Sequence, residues 1–172
     1  GACADVATLG GKAAAIDRLL AIGAPVPPAA VVTTAAYGEF VAGSGLQPLL
    51  ERLRCDPLPP ARARERARRQ VEAAFLAAPM SASLAAEIEA MARCVGNGAN
   101  VAVRSSATAE DQRAASFAGQ YVTFLDVAPS DVVTAVRRCW ASLWYPTPRT
   151  YRRFLGIDEA DLAMAVLLMP ML

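Results

Sequence analysis

The sequence predicts an α/β (α+β) protein, helix-rich with a small mixed sheet. Short apolar runs of strand length occur at Ala29 to Thr33, Val101 to Val103, Tyr121 to Val127 and Ala163 to Leu172. Between them, apolar residues recur at helical spacing, as in Leu84, Ile88, Met91 and Val95. The 172 residues are 55% hydrophobic and 19% charged, enough to bury one core and incompatible with a disordered chain. Much of the apolar fraction is alanine, which favours helix more than burial.

In chain order, Leu9-Gly-Gly-Lys12 leads into an amphipathic helix with Ile16, Leu19 and Leu20 inward and Gly23 as its stop. Pro25-Val-Pro-Pro28 forces an extended segment into the first strand. Thr34 is placed to cap a helix through Tyr37 and Phe40 that ends at Gly43-Ser-Gly45. A helix over Leu46 to Arg54 is closed by the break Cys55-Asp-Pro-Leu-Pro-Pro60. Ala61 to Ala78 forms the next helix and Pro79 ends it. There Arg62, Arg66 and Arg69 share one face, and Arg64 and Arg68 another. Glu65 and Glu72 are interspersed and no aromatics interleave, so this is a solvated, salt-bridged helix before it is a nucleic-acid surface.

Ser83 is the expected cap of the following helix, and Gly96-Asn-Gly98 its stop. After Pro129-Ser130 a helix turns Val132, Val133, Val136, Cys139, Trp140 and Leu143 inward. Trp140 and Trp144 share a face there, as packing partners. Tyr145-Pro-Thr-Pro148 interrupts, a short helix covers Thr150 to Leu155, and the last strand follows. Pro170 is out of keeping with the interior of such a strand.

Composition narrows the function classes. A net charge of +1 argues against broad electrostatic capture of nucleic acid or membrane. No apolar run approaches the roughly 20 residues that span a bilayer, and the first residues lack the basic start of a signal peptide. The cysteines at 3, 55, 94 and 139 form no C-x-x-C pair, and there is no histidine to complete a zinc set. Cys94 and Cys139 fall in apolar helical patterns, as small buried hydrophobes. Reduced thiols and a cytoplasmic location are expected. The absence of histidine also removes the commonest general base and any phosphohistidine carrier from this chain.

The chemistry concentrates between Val101 and Tyr121. An apolar strand runs straight into Arg104, Ser105 and Ser106. A polar loop with Glu110, Asp111 and Arg113 follows, then Ser116-Phe-Ala-Gly-Gln120. An arginine at a strand end grips phosphate oxygens through two nitrogens. A glycine-containing turn aims backbone N–H groups at the same anion. The alternative reading is a hairpin-like connection whose arginine pairs with Glu110 or Asp111 on the surface. Lys12, the only lysine, directly follows a glycine pair at a helix start, where backbone amides and the positive end of the helix dipole gather.

With these segments in order, the chain resembles the N-terminal nucleotide-binding domain of the phosphoenolpyruvate synthase and pyruvate phosphate dikinase family, which also includes rifampin phosphotransferases. The match rests on Leu9-Gly-Gly-Lys-Ala-Ala14 through Pro28 and Val31-Val-Thr-Thr34, then Val101 to Leu125, then Arg137 to Leu143 with Tyr151-Arg-Arg153. The resemblance implies the N-terminal lobe of an ATP-grasp fold, with residues 1–172 as one lobe of a longer multidomain enzyme. It places Lys12 and Arg104 on the ATP phosphates as binding and catalytic cations, with Ser105 and Ser106 beside them. Gly119, Gln120 and Tyr121 match the phosphate loop, where backbone amides cradle the terminal phosphates.

It further implies that the ATP β-phosphoryl group passes to a histidine on a separate domain, releasing AMP and phosphate, and thence to pyruvate or an antibiotic hydroxyl. The expected cofactors are ATP and Mg²⁺, with the metal's carboxylates in a second ATP-grasp half outside this chain. The expected partners are that half and the phosphohistidine domain, with no nucleic acid and no membrane. A non-catalytic module on the same fold is the alternative from another class.

Overall fold

The last strand in sequence lies inside the sheet, not at its edge. The computed structural model describes residues 5–108, 121–159 and 162–171. Its strands β1 (Ala30–Val32), β2 (Val101–Ala107), β3 (Thr123–Val127) and β4 (Met164–Pro170) lie in the order β1-β4-β2-β3. The sheet is small, as expected, but every pairing among the described residues is antiparallel instead of mixed. The reason is the insertion of β4. β1 and β2 run in the same direction, and β4 separates them by pairing antiparallel with both.

β4 is buried from Met164 to Met169, which accounts for its unbroken apolar sequence. Pro170 closes the strand opposite Val101, so its missing N–H costs the ladder interior nothing. β2 is longer than its apolar run suggested. Pairing with β4 extends from Val101↔Pro170 to Ala107↔Met164 and carries Arg104, Ser105 and Ser106 within the strand. At its end, the Thr108 N–H and hydroxyl both donate to the Ala163 carbonyl, at 3.2 Å each.

Successive residues of a strand face opposite sides. Met164, Val166 and Leu168 join Val101, Val103 and Ala107 in the main core. Leu167 and Met169 face the other way, against Ala13, Leu9 and Ile16 of helix α1 (Val6–Ala21). Leu19 and Leu20, expected inward, are exposed; the buried stripe of α1 is made of Gly10, Gly11, Ala13 and Ala14. Small residues let this helix lie close to the sheet. Gly23 does stop it, at φ 75°: its N–H bonds the Leu20 carbonyl and that of Ala24 the Leu19 carbonyl, a Schellman ending.

The main core is aromatic. Helices α2 (Thr34–Ser44), α4 (Arg64–Ala77), α5 (Ala82–Val95) and α6 (Val132–Ser142) supply Tyr37, Phe40, Phe75, Ile88 and Trp140. Phe40 stacks on Trp140 at 5.0 Å between centroids, and Tyr37 meets the same ring edge-on at 5.9 Å. Trp144 is fully buried too, and its indole N–H donates to the Tyr37 hydroxyl at 2.9 Å. Burial pushes the Tyr37 phenol from 10.0 up to about 12. The two tryptophans are packing residues, as their spacing predicted.

The remaining helices are α3 (Gln47–Cys55) and α7 (Pro146–Phe154). α7 begins earlier than expected because Pro146 and Pro148 occupy its first turn, where a missing N–H is harmless. Arg153 of α7 donates to the carbonyls of Arg54 and Asp56 at 2.9 and 2.8 Å, capping the C-terminal end of α3. Ser81, not Ser83, caps α5 by accepting the Leu84 N–H at 3.3 Å. Thr34 sits inside α2 and its hydroxyl donates to the Ala7 carbonyl at 2.7 Å, tying α2 to α1. Cys94 is exposed, against expectation, whereas Cys139 is buried as expected. No single helix among the described residues is long and apolar enough to cross a membrane.

Candidate functional site

A glycine turn seats the segment that carries Lys12 against β2, the strand that carries Arg104, although the two are distant in sequence. Helix α1 is broken at Gly10, whose φ of 69° and ψ of 172° lie in a region essentially reserved for glycine. The helix resumes at once, so Lys12 stands in the first turn of the resumed segment. The turn rests on β2. A Cβ at Gly10 would lie 1.9 Å from the Ser106 carbonyl oxygen and 2.6 Å from its hydroxyl. The Ser106 hydroxyl donates to the Leu9 carbonyl at 2.9 Å and accepts the Ala13 N–H at 3.1 Å.

Arg104 lies two residues before Ser106 and therefore on the same face. It is exposed, within an open cavity of about 400 Å³ shared with Ala102, Thr123, Leu125, Met169, Pro170 and Met171. This part of the sheet face is bare beside α1, with Leu125 64% exposed. Arg104 is thus a cation on a mostly apolar, accessible surface. Lys12 is half-buried and already interacts within the protein. Its charge reaches Cys139, where it only partly offsets the burial that pushes the thiol pKa up.

The other expected residues divide. Ser105 alternates onto the opposite face from Arg104 and is 1% exposed, within a strand that continues past the apolar run ending at Val103. Tyr121 has its ring in the main core, and its hydroxyl meets Arg152 at 3.4 Å. Gly119 and Gln120, with Glu110, Asp111 and Arg113, lie outside the described residues.

Sequence reading assigned no role to the pair that fixes Tyr121. Arg152 is fully buried and donates twice to Glu159, at 3.0 and 2.8 Å. The arginine holds the end of β3's approach through the Tyr121 hydroxyl. Only the resemblance around Tyr151-Arg-Arg153 marked the segment; a buried arginine has no periodicity to betray it. The arginine-rich helix behaves as its composition suggested. Arg68 bonds Glu65 at 2.9 Å and Glu72, and Glu65 raises its already high pKa.

Residues 6–172 match the family described as "Pyruvate phosphate dikinase, AMP/ATP-binding domain". The chain belongs to this family. It is 37% identical over 171 residues to the phosphoenolpyruvate synthase of Aeropyrum pernix, covering 95% of this chain and 21% of that protein. It is 41% identical over 174 residues to the rifampicin phosphotransferase of Streptomyces sviceus, covering 97% and 20%. It is also 38% identical over 162 residues to the prodigiosin synthesizing transferase PigC of Serratia marcescens, covering 94% and 17%. The chain thus spans about a fifth of the length of these relatives. Within this domain Lys12 is carried by α1, whose broken turn rests on β2, and Arg104 by β2 itself.

Proposed function

We propose that the chain holds ATP by its phosphates on the α1 side of the sheet, with Lys12 and Arg104 as the cations. Residues 1–172 then form one ATP-grasp lobe of a longer dikinase. The β-phosphoryl group passes to a histidine carried elsewhere in that protein, and AMP and inorganic phosphate are released. Supporting this reading is one observation above the rest: a glycine-only turn seats the segment that carries Lys12 directly against β2, two residues along from Arg104.

Within this reading, Arg104 grips non-bridging phosphate oxygens through two nitrogens and Lys12 supplies a point charge. Gly119, Gln120 and Tyr121 keep in this reading the phosphate-loop role that the family resemblance implies for their backbone amides. Transfer of this kind depends on positioning and charge neutralisation more than on covalent work by the protein. Mg²⁺ would add to that neutralisation. Among the described residues, no three His, Cys, Asp or Glu side chains lie together to hold a metal. The final acceptor in this reading is pyruvate or a similar acceptor, which the likeness to a phosphoenolpyruvate synthase supports; the 41% identity to a rifampicin phosphotransferase supports an antibiotic hydroxyl as the second reading.

A single lobe offers phosphate contacts without a closed cleft, so ATP should bind this chain with a dissociation constant on the order of a millimolar. Arg104→Ala should weaken that binding about tenfold, and Arg66→Ala on the exposed face of α4 less than about twofold. Equal losses from the two variants, read by titration with ATP, would remove Arg104 from the site.

A further inference from the structure

We propose that Ser106 is a positioning residue for Lys12: its hydroxyl, lent by β2 to α1, fixes the turn on which Lys12 stands and does not contact the nucleotide. This rests on the phosphate-binding reading above and deepens it. The first amides of a helical segment need acceptors, commonly a serine or aspartate side chain immediately before the segment. Gly10 occupies that place and has no side chain to offer. Ser106 supplies the missing oxygen from another element. It accepts the N–H of Ala13, the third residue of the resumed helix, which is the bond a serine in place of Gly10 would have made.

The same hydroxyl gives its proton to Leu9, the residue just before the turn. Its two bonds therefore bracket Gly10, Gly11 and Lys12. Gly10 presses against the Ser106 main chain so closely that no Cβ fits, which places the turn along β2. Ser106 is 0% exposed, with its proton committed to one protein partner and its oxygen to another. A phosphate oxygen would have to displace one of these bonds to reach it. The sequence order Arg104-Ser-Ser106 thus combines two tasks on one face: Arg104 for the ligand, Ser106 for the lysine opposite.

A double-mutant cycle separates indirect from direct action. ATP is titrated into the 172-residue chain and into Ser106→Ala, Lys12→Met and the double variant, followed by backbone amide NMR signals, which read weak constants. Ser106→Ala should weaken ATP about fivefold when Lys12 is present and change it less than about 1.5-fold in the Lys12→Met background. Ser106→Thr, which keeps the hydroxyl, should bind within about twofold of the parent chain.

Equal losses from Ser106→Ala in both backgrounds, or no loss in either, would overturn the proposal. If Lys12→Met alone leaves ATP binding unchanged, the phosphate reading itself fails. That outcome differs from failure of the Ser106 proposal alone, where Lys12→Met weakens binding and the two losses add. Thermal unfolding checks each variant. Should Ser106→Ala not fold, Ser106→Cys, which keeps the volume and only a weak hydrogen bond, takes its place in the same cycle.

Discussion

Arg152→Met is expected to destabilise the protein by about 3–5 kcal/mol, the range for removing one partner of a buried ion pair. The Arg152 guanidinium is fully buried and Glu159 is 10% exposed. Without the arginine, the Glu159 carboxylate would be left in a poorly hydrated position and the Tyr121 hydroxyl would lose its donor. Combining Arg152→Met with Glu159→Gln should recover part of the loss, because the unpaired charge is removed as well. Urea unfolding of the single and double variants measures this. A cost below about 1 kcal/mol for Arg152→Met would show that the pair is a solvated contact and not a buried one.

Gly10→Val is the second large effect. A β-branched side chain would have to adopt φ 69° and ψ 172°, and its Cβ would start 1.9 Å from the Ser106 carbonyl oxygen. Backbone strain of this type costs about 1–3 kcal/mol, and forced overpacking about as much again. The turn should therefore open, with a loss of about 3 kcal/mol or more and a loss of ATP binding. Gly43→Ala is the contrast: nothing lies within 4 Å of its Cβ position, its φ is not positive, and it sits within α2. That change should be neutral or stabilising by up to about 1 kcal/mol. A midpoint for Gly10→Val within error of the parent would mean that α1 is not seated on β2 as described.

Much of this architecture was legible because its signals are local. The apolar face of α6, the glycine stop of α1 and the four strand runs follow from periodicity and turn chemistry. The insertion of β4 between β1 and β2 was not legible, because strand order is a long-range choice that no local pattern states. Leu19 and Leu20 misled for a related reason. α1 approaches the sheet through its small residues, and close approach by glycine and alanine outweighed the larger leucines further along.

At the site, Lys12 and Arg104 could be marked from residue type and neighbours. The seating of the Lys12 segment on Arg104's strand depends on a serine side chain capping a helix far away in sequence, a bond that neither segment reveals by itself. The extension of β2 past Val103 had the largest consequence. It turns three consecutive polar residues, read as one cluster, into alternating positions with different partners.

The most direct test of the central claim, phosphate binding on the α1 face, is a map of backbone amide shifts as ATP is added to this chain. The largest changes are predicted at Gly10 to Ala13, at Arg104 to Ala107 and at Gly119 to Tyr121, with smaller ones when AMP replaces ATP because fewer phosphates are presented. Shifts concentrated on the arginine helix α4, or equal responses to ATP and AMP, would contradict the account.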